Sequence, residues 1–288
     1  MSDLLKNRNA IITGANQGLG LAIAQAYLAA GANLVLCARD GIKLKAAAEA
    51  LQQQAAPGQK VIWDVCDVAV PLEVTTLVDT ALRELGTVDI LVNNAGMQRP
   101  IGAFEDVDWN EWVRTIEINL LGPAFFCRSL IPHFKNNGHG KIINLSGGGA
   151  TAPLPRISAY AASKAAVVRL TETLAHELKD HHIDINAIAP GALNTRMLND
   201  VLEAGRENAG SQYDRALKQQ ESGGASLENA AALCVFLASA QSDGITGRLI
   251  SAQWDPWKTL DTRRDELANS DIYTLRRIVP EDRGTKWD

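Results

Sequence analysis

Tyr160 and Lys164 stand four residues apart in the segment YAASK, and Ser146 closes the run KIINLS fourteen residues upstream. Positions i and i+4 share one face of a helix, so the phenol and the amine can work on one group. The chemistry they suit is proton exchange with an oxygen. A phenol is a poor acid near neutral pH, with a reference pKa of about 10. A neighbouring ammonium favours the phenolate and brings that exchange towards the working range. Ser146 can donate a hydrogen bond to the same oxygen and orient it. Taken alone, a Tyr-x-x-x-Lys pair is weak evidence, because chance supplies it often.

A second chemical feature lies near the amino terminus. TGANQGLG, residues 13–20, places Gly14, Gly18 and Gly20 directly after the first apolar run. Only glycine lets backbone come close to a pyrophosphate. A helix starting near Gly18 would aim its free N–H groups and positive dipole end at the phosphates. Asn16, Gln17 and Leu19 complete that turn and are read as further dinucleotide contacts.

The elements that must position these groups are legible from periodicity. Residues 9–13, 33–38, 60–65, 89–93, 141–146, 184–189 and 247–251 are short, near-continuously apolar runs, the mark of strands buried on both faces. Helical patterns at 18–30, 41–55, 108–134, 159–179 and 227–238 alternate with them. Regular strand–helix–strand succession predicts right-handed crossovers and a doubly wound parallel sheet, a Rossmann fold with its ligand at the carboxyl ends of the strands. The expected organisation is one catalytic domain over residues 1–251, carrying a polar, helix-prone insertion at 194–224, and a C-terminal extension at 252–288. The insertion reads as a substrate lid, because long loops in this place gate ligand. Half of the six tryptophans, Trp254, Trp257 and Trp287, fall in the extension. A disordered tail would be poor in aromatics, so an ordered tail is expected, its indoles buried against its own domain or a neighbouring subunit and helping to shape the site.

The motifs keep a fixed order: TGANQGLG, CDV at 66–68, NNAG at 93–96, IEIN ending at Asn119, NLS ending at Ser146, YAASK, and PG at 190–191. In that order, over roughly the first 250 residues, the sequence resembles the short-chain dehydrogenase/reductase family. The resemblance implies a hydride transfer between a nicotinamide cofactor and a carbonyl or alcohol. Tyr160 would then be the general acid/base. Lys164 would activate it and hold the nicotinamide ribose, and Ser146 would bind the substrate oxygen. Asn119, costly inside a helix, would hold a water near the lysine and complete a proton relay. Asp67 and Val68 would flank the adenine. Asn93, Ala95 and Gly96 would shape the wall beside ribose and phosphates, although Asn93 could equally tie the fourth strand to its neighbour. Pro190 and Gly191 would turn the chain over the carboxamide, with backbone at Ala192 or Leu193 meeting the amide and Thr195 capping the segment after it.

Cofactor choice rests on the end of the second strand. NAD-preferring relatives carry an acid there; this chain has Ala38 and then Arg39. A guanidinium suits a 2′-phosphate, which favours NADP(H), with NAD(H) the alternative, although Asp40 next door would mildly repel the phosphate. The resemblance also implies a homodimer or homotetramer, with the last strand and its preceding helix near a two-fold axis. Arg99 and Arg156 should border the pocket, where either could meet an anionic substrate or simply face solvent. The rim is poor in aromatics, which favours a small or polar substrate.

Bulk properties narrow the field. The chain has 288 residues, 46% hydrophobic and 21% charged, with a net charge of −5. That charge argues against a basic nucleic-acid surface or attraction to an anionic membrane. No apolar run is long enough for a membrane span, and MSDLLKNRNA does not read as a signal peptide. Cys37, Cys66, Cys127 and Cys234 lack metal-ligand spacing and read as buried thiols in a reducing, cytoplasmic setting. No metal site is expected. Two alternatives to the oxidoreductase remain: a catalytically silent dinucleotide-binding sensor or scaffold, and an epimerase or dehydratase that uses the cofactor transiently. The complete set of Asn119, Ser146, Tyr160 and Lys164 favours the oxidoreductase.

Overall fold

Apolar runs too short for helices become the strands β1 (Asn9–Thr13), β2 (Asn33–Ala38), β3 (Val61–Val65), β4 (Ile90–Asn93), β5 (Gly140–Leu145), β6 (Ile183–Ala189) and β7 (Leu249–Ser251). A computed structural model describes residues 3–287; residues 1, 2 and 288, the outermost positions of the expected domain and tail, lie outside the described residues. All strand pairings are parallel, in the order β3-β2-β1-β4-β5-β6-β7. Neighbouring side chains on a strand point to opposite faces. Ile11 packs with Val35, Leu91, Phe126 and Phe134 on one side, and Ile12 with Ile23, Tyr27, Leu34 and Leu36 on the other. Helices cover both faces: α1 (Gly18–Ala29), α2 (Gly41–Gln54), α3 (Pro71–Leu85), α4 (Trp109–Ile116), α5 (Gly122–Asn137), α6 (Ser158–Leu178), α7 (Arg196–Ala209), α8 (Ser211–Ser222), α9 (Leu227–Ala238) and α10 (Arg264–Ala268). The strand order reverses between β1 and β4, the crevice where doubly wound sheets bind ligand.

The helical stretch expected at 108–134 is not one helix. A π-helical turn, Glu117–Leu121, separates α4 from α5, and Gly122 donates to the carbonyl of Glu117, five residues back. Pro123 supplies the reason: it has no N–H to return to the carbonyl of Asn119, four residues earlier, so the regular ladder cannot continue. Asn119 therefore sits in a widened turn rather than in the middle of an ordinary helix.

The insertion is a helical hairpin. Gly205, with φ of 74°, breaks α7 internally, and Gly210, with φ of 55°, makes the bend into α8. Its apolar face, Leu198, Val201, Ala209 and Ala216, packs with Ile157 and the half-buried Tyr160. Arg99 holds α7 to the body through Asp200 (2.8 Å) and Glu203 (3.2 Å).

The tail is ordered and packs on its own subunit. Buried Trp257 and Leu260 join the core with Phe236, whose ring lies 6.0 Å from the indole of Trp257. The guanidinium of Arg248 donates to the carbonyls of Leu267, Ser270 (3.0 Å) and Ile272 (2.8 Å). Leu249 N donates to Tyr273 O at 2.8 Å, so the tail runs along the outer edge of β7. Within this chain Trp257 is the buried indole of the tail's three, while Trp254 is 82% and Trp287 79% exposed.

Candidate active site

The carboxyl ends of the strands open into a cleft of about 1200 Å³. At its floor the glycine turn does what its spacing requires. Gly14 has φ of 65°, and a Cβ there would come within 2.9 Å of Ala95 Cα. A Cβ on Gly20 would collide with the Gly14 carbonyl and the Asn94 amide. Gln17 occupies the N-cap position of α1 without a capping side-chain bond, so the first N–H groups of that helix remain available to an anion. Gly14, Asn16, Gln17, Gly18, Leu19 and Gly20 all line the cleft. These features fit a pyrophosphate.

Arg39 lines the adenine end and forms no ion pair among the described residues. Asp40 caps α2 by accepting from Lys43 N (3.0 Å) and lies 3.6 Å from the Lys43 ammonium. The repulsion expected of it is thus largely spent on α2. Asp67 and Val68 line the same region. Asp67 pairs with Arg114, a partner that no motif announces.

Ser146, Tyr160 and Lys164 meet at the middle of the cleft. Ser146 directly follows β5 and donates to the Lys164 carbonyl (3.3 Å); Lys164 Nζ donates to Leu145 O (2.7 Å). The Tyr160 hydroxyl packs against Gly147, where any Cβ would strike it, and makes no hydrogen bond to a described residue. The ammonium lies 5.6 Å from the tyrosine ring centroid. Burial pushes the Tyr160 phenol up to about 12 and the Lys164 amine down to about 8. In the free protein desolvation therefore outweighs the lysine's expected pull on the phenol.

Two expected residues are not on the cleft wall. Asn119 is buried behind Gly96. Its Oδ1 accepts from Met97 N (2.9 Å), and its Nδ2 donates to Met97 O (2.8 Å) and Ser163 Oγ (2.9 Å). With both amide hydrogens used, the side chain positions the NNAG loop and α6. Asn93 is also buried, its Nδ2 donating to Asn144 Oδ1 (2.8 Å), which ties β4 to β5. The cleft-lining neighbour is Asn94, whose Nδ2 donates to Thr13 O (2.8 Å) and locks the glycine turn. Period-two alternation was the available signal: the last residue of a strand and the one after it do not face the same way.

Ala95, Gly96, Pro190, Gly191, Leu193 and Thr195 line the cleft as expected. Gly191, with φ of 95°, sits against Ala225, where a Cβ would approach to 2.8 Å. Thr195 stands at the N-cap of α7, but its side chain makes no capping bond. Arg99 is committed to Asp200 and Glu203, and neither it nor Arg156 lines this cleft. Residues the motifs did not reveal do line it: Gln212, Arg215 and Gln219 from α8, and Trp254 and Asp255 from the tail.

The short chain dehydrogenase family model matches residues 8–205, the span that carries the glycine turn, Ser146, Tyr160 and Lys164. The chain belongs to this family. Among curated relatives, 3beta-hydroxysteroid dehydrogenase 1 of Eggerthella lenta is 37% identical over 253 residues, covering 86% of this chain and 92% of the relative. Among solved structures, an NAD+-bound xylitol dehydrogenase superposes with a TM-score of 0.78 at 26% identity, covering 86% of this chain and 98% of that one. A gluconate 5-dehydrogenase from Burkholderia cenocepacia J2315, in complex with NADP and tartrate, gives 0.76 at 29% identity, covering 87% and 95%. As a short-chain dehydrogenase the protein is an oxidoreductase of CH–OH or C=O groups that uses NAD(H) or NADP(H). Among the described residues no helix is long and apolar enough to cross a membrane.

Proposed function

We propose that this short-chain dehydrogenase prefers NADP(H) and interconverts a small carbonyl compound and its alcohol, with Tyr160 as the proton donor and acceptor. The observation that carries the reading is the convergence of Ser146, Tyr160 and Lys164 beside an uncapped helix terminus and a glycine cradle in one cleft. A nicotinamide dinucleotide held in that cradle supplies or accepts the hydride. Ser146 orients the substrate oxygen by donating to it, and gives up its present bond to the Lys164 carbonyl to do so. Tyr160, its phenol pushed up to about 12, is protonated across the neutral range and can deliver a proton as negative charge builds on that oxygen. Lys164 stabilises the phenolate left behind. Residues 1–251 form the catalytic domain, α7 and α8 act as its lid, and the tail from residue 252 onward contributes Trp254 and Asp255 to the rim.

Arg39, without an acidic partner among the described residues, supports the NADP(H) preference, and the engagement of Asp40 with Lys43 removes the main objection to it. Self-assembly is part of the reading. Trp109, Val113 and Leu121 are exposed apolar residues on α4 and the following turn, a surface that a second copy of the chain would cover. The deciding experiment is a panel of ketones, aldehydes and alcohols followed by NADPH and NADH absorbance, with the oligomeric state read by light scattering. Turnover with NADH equal to that with NADPH would refute the cofactor preference. Silence across the panel, with cofactor bound, would refute the redox reading.

A further inference from the structure

The lid side of the cleft holds a polar group that the protein itself leaves unsatisfied. Gln212, on α8, is 8% exposed, and its Nε2 is shut from water with no hydrogen-bond partner among the described residues. A buried donor without an acceptor is unfavourable, so the residue is better explained by something that enters than by the folded chain. Gln212 lines the cleft. Arg215 lies one turn along α8 on the same helix face, lines the same cleft, and has no carboxylate within ion-pair distance among the described residues. Arg206, elsewhere on the hairpin, behaves differently, since it is paired with Asp214.

The carboxylates that line the cleft are all occupied. Asp40 caps α2, Asp67 pairs with Arg114, and Asp255 accepts from Ser251 N (2.6 Å). The residues that α8 presents to the cleft, Gln212, Arg215, Ala216 and Gln219, carry one positive charge and no carboxylate. The same cleft is lined by an apolar cluster: Ile157, Leu198, Val201 and Ala216, which pack with Tyr160. Ala216 belongs to α8, so the helix that presents Gln212 and Arg215 adjoins the phenol rather than the adenine end of the cleft. A substrate matched to this lining has an oxygen to react, a short aliphatic body, and an anionic group with two acceptor oxygens.

We propose that Gln212 and Arg215 form a recognition pair for a substrate carboxylate, and that the substrate is an oxo acid or hydroxy acid. This rests on the oxidoreductase reading above. One carboxylate oxygen accepts from the Gln212 amide and the other from the Arg215 guanidinium, which satisfies the buried donor and adds a charge-assisted bond. A neutral substrate can accept from these donors but forgoes the ionic bond to the guanidinium.

The test uses the full-length protein loaded with NADP+ for binding and NADPH for turnover. Straight-chain oxo acids are each compared with their own methyl esters, by calorimetry and by absorbance. The acid should bind about tenfold or more tightly than its ester. Gln212→Leu and Arg215→Met should each cut that ratio about tenfold, and Gln212→Glu should bring it below one by repelling the acid. NADPH affinity, measured for every variant, reports whether the fold is intact. Equal binding of acid and ester, no binding of either, or a ratio that survives both neutral substitutions would overturn the assignment. Acids that bind with the predicted preference but never consume NADPH would refute the oxidoreductase reading and leave the recognition pair standing. Brisk turnover of esters without acid preference would do the reverse.

Discussion

At the amino ends of β1, β4 and β5, polar groups are matched to one another. Asp89 accepts from Asn9 N (2.8 Å), Arg8 (3.2 Å) and His139 (2.7 Å). Lys141 meets Asp184 at 2.6 Å and Asp243 at 2.7 Å. At the carboxyl ends of the same sheet the groups are left open: the Tyr160 hydroxyl, the Gln212 amide, Arg39 and Arg215 have no partner among the described residues, and α1 has no side-chain cap. One end spends its polar groups on holding strands in register, while the other keeps them for a ligand. The difference predicts that substitutions at the two ends will separate stability from activity.

The largest effect is expected at Tyr160. Tyr160→Phe should lower turnover about 10³-fold by removing the proton donor. Its hydroxyl has no protein partner, so the melting temperature and cofactor affinity should stay close to wild type. A large loss of stability would show that this end is structural after all. Asp89→Ala should do the opposite. It leaves Arg8 and the buried Asn9 N–H without their acceptor, which is expected to cost about 3 kcal/mol, read as a lower denaturation midpoint with kcat unchanged.

Lys164→Met should sharpen the contrast. Lys164 is buried and its amine is pushed from 10.5 down to about 8, so the unfolded chain holds a proton that the folded chain releases between those values. Its penalty on stability is fully present below pH 8 and fades as pH rises towards 10.5, worth at most about 3 kcal/mol. The variant should lose activity yet melt higher than wild type at pH 7, with the advantage shrinking above pH 8; equal melting at both pH values would contradict this. The smallest effect is Arg39→Ser. It should weaken NADPH binding about tenfold and leave NADH binding unchanged, checked by fluorescence titration of both cofactors.

Much of this was legible in the chain. Seven apolar runs gave seven strands within a residue or two: the central strands are buried on both faces of a parallel sheet and leave an unbroken apolar signature, whereas the edge strand β3 is only partly buried and its run is interrupted by Asp64. Gly14 and Gly20 were readable because no other residue fits where they stand. Other features were not. Asn93 and Asn94 are adjacent and chemically identical, and only strand register decides that the first joins β4 to β5 while the second locks the glycine turn. Asn119 matched a motif, but the bonds to Met97 and Ser163 that use up its amide join residues 22 and 44 positions away. Trp254 and Trp257 lie three residues apart, one exposed and one buried, a choice made by where Phe236 happens to be.

The sequence by itself determined the succession of strands and helices, the tight glycine turn after β1, and the spacing of Ser146, Tyr160 and Lys164, because each depends on local periodicity, on glycine's missing side chain, or on residue type at fixed positions. Tertiary structure alone decided which polar groups would be satisfied. The pairing of Asp89 with Arg8 and His139, the capture of Arg99 by Asp200, and the solitary Gln212 amide all depend on distances between segments far apart in the chain. A hydrogen bond acts only within about 3 Å, so no pattern along one strand or helix can announce whether its partner will arrive.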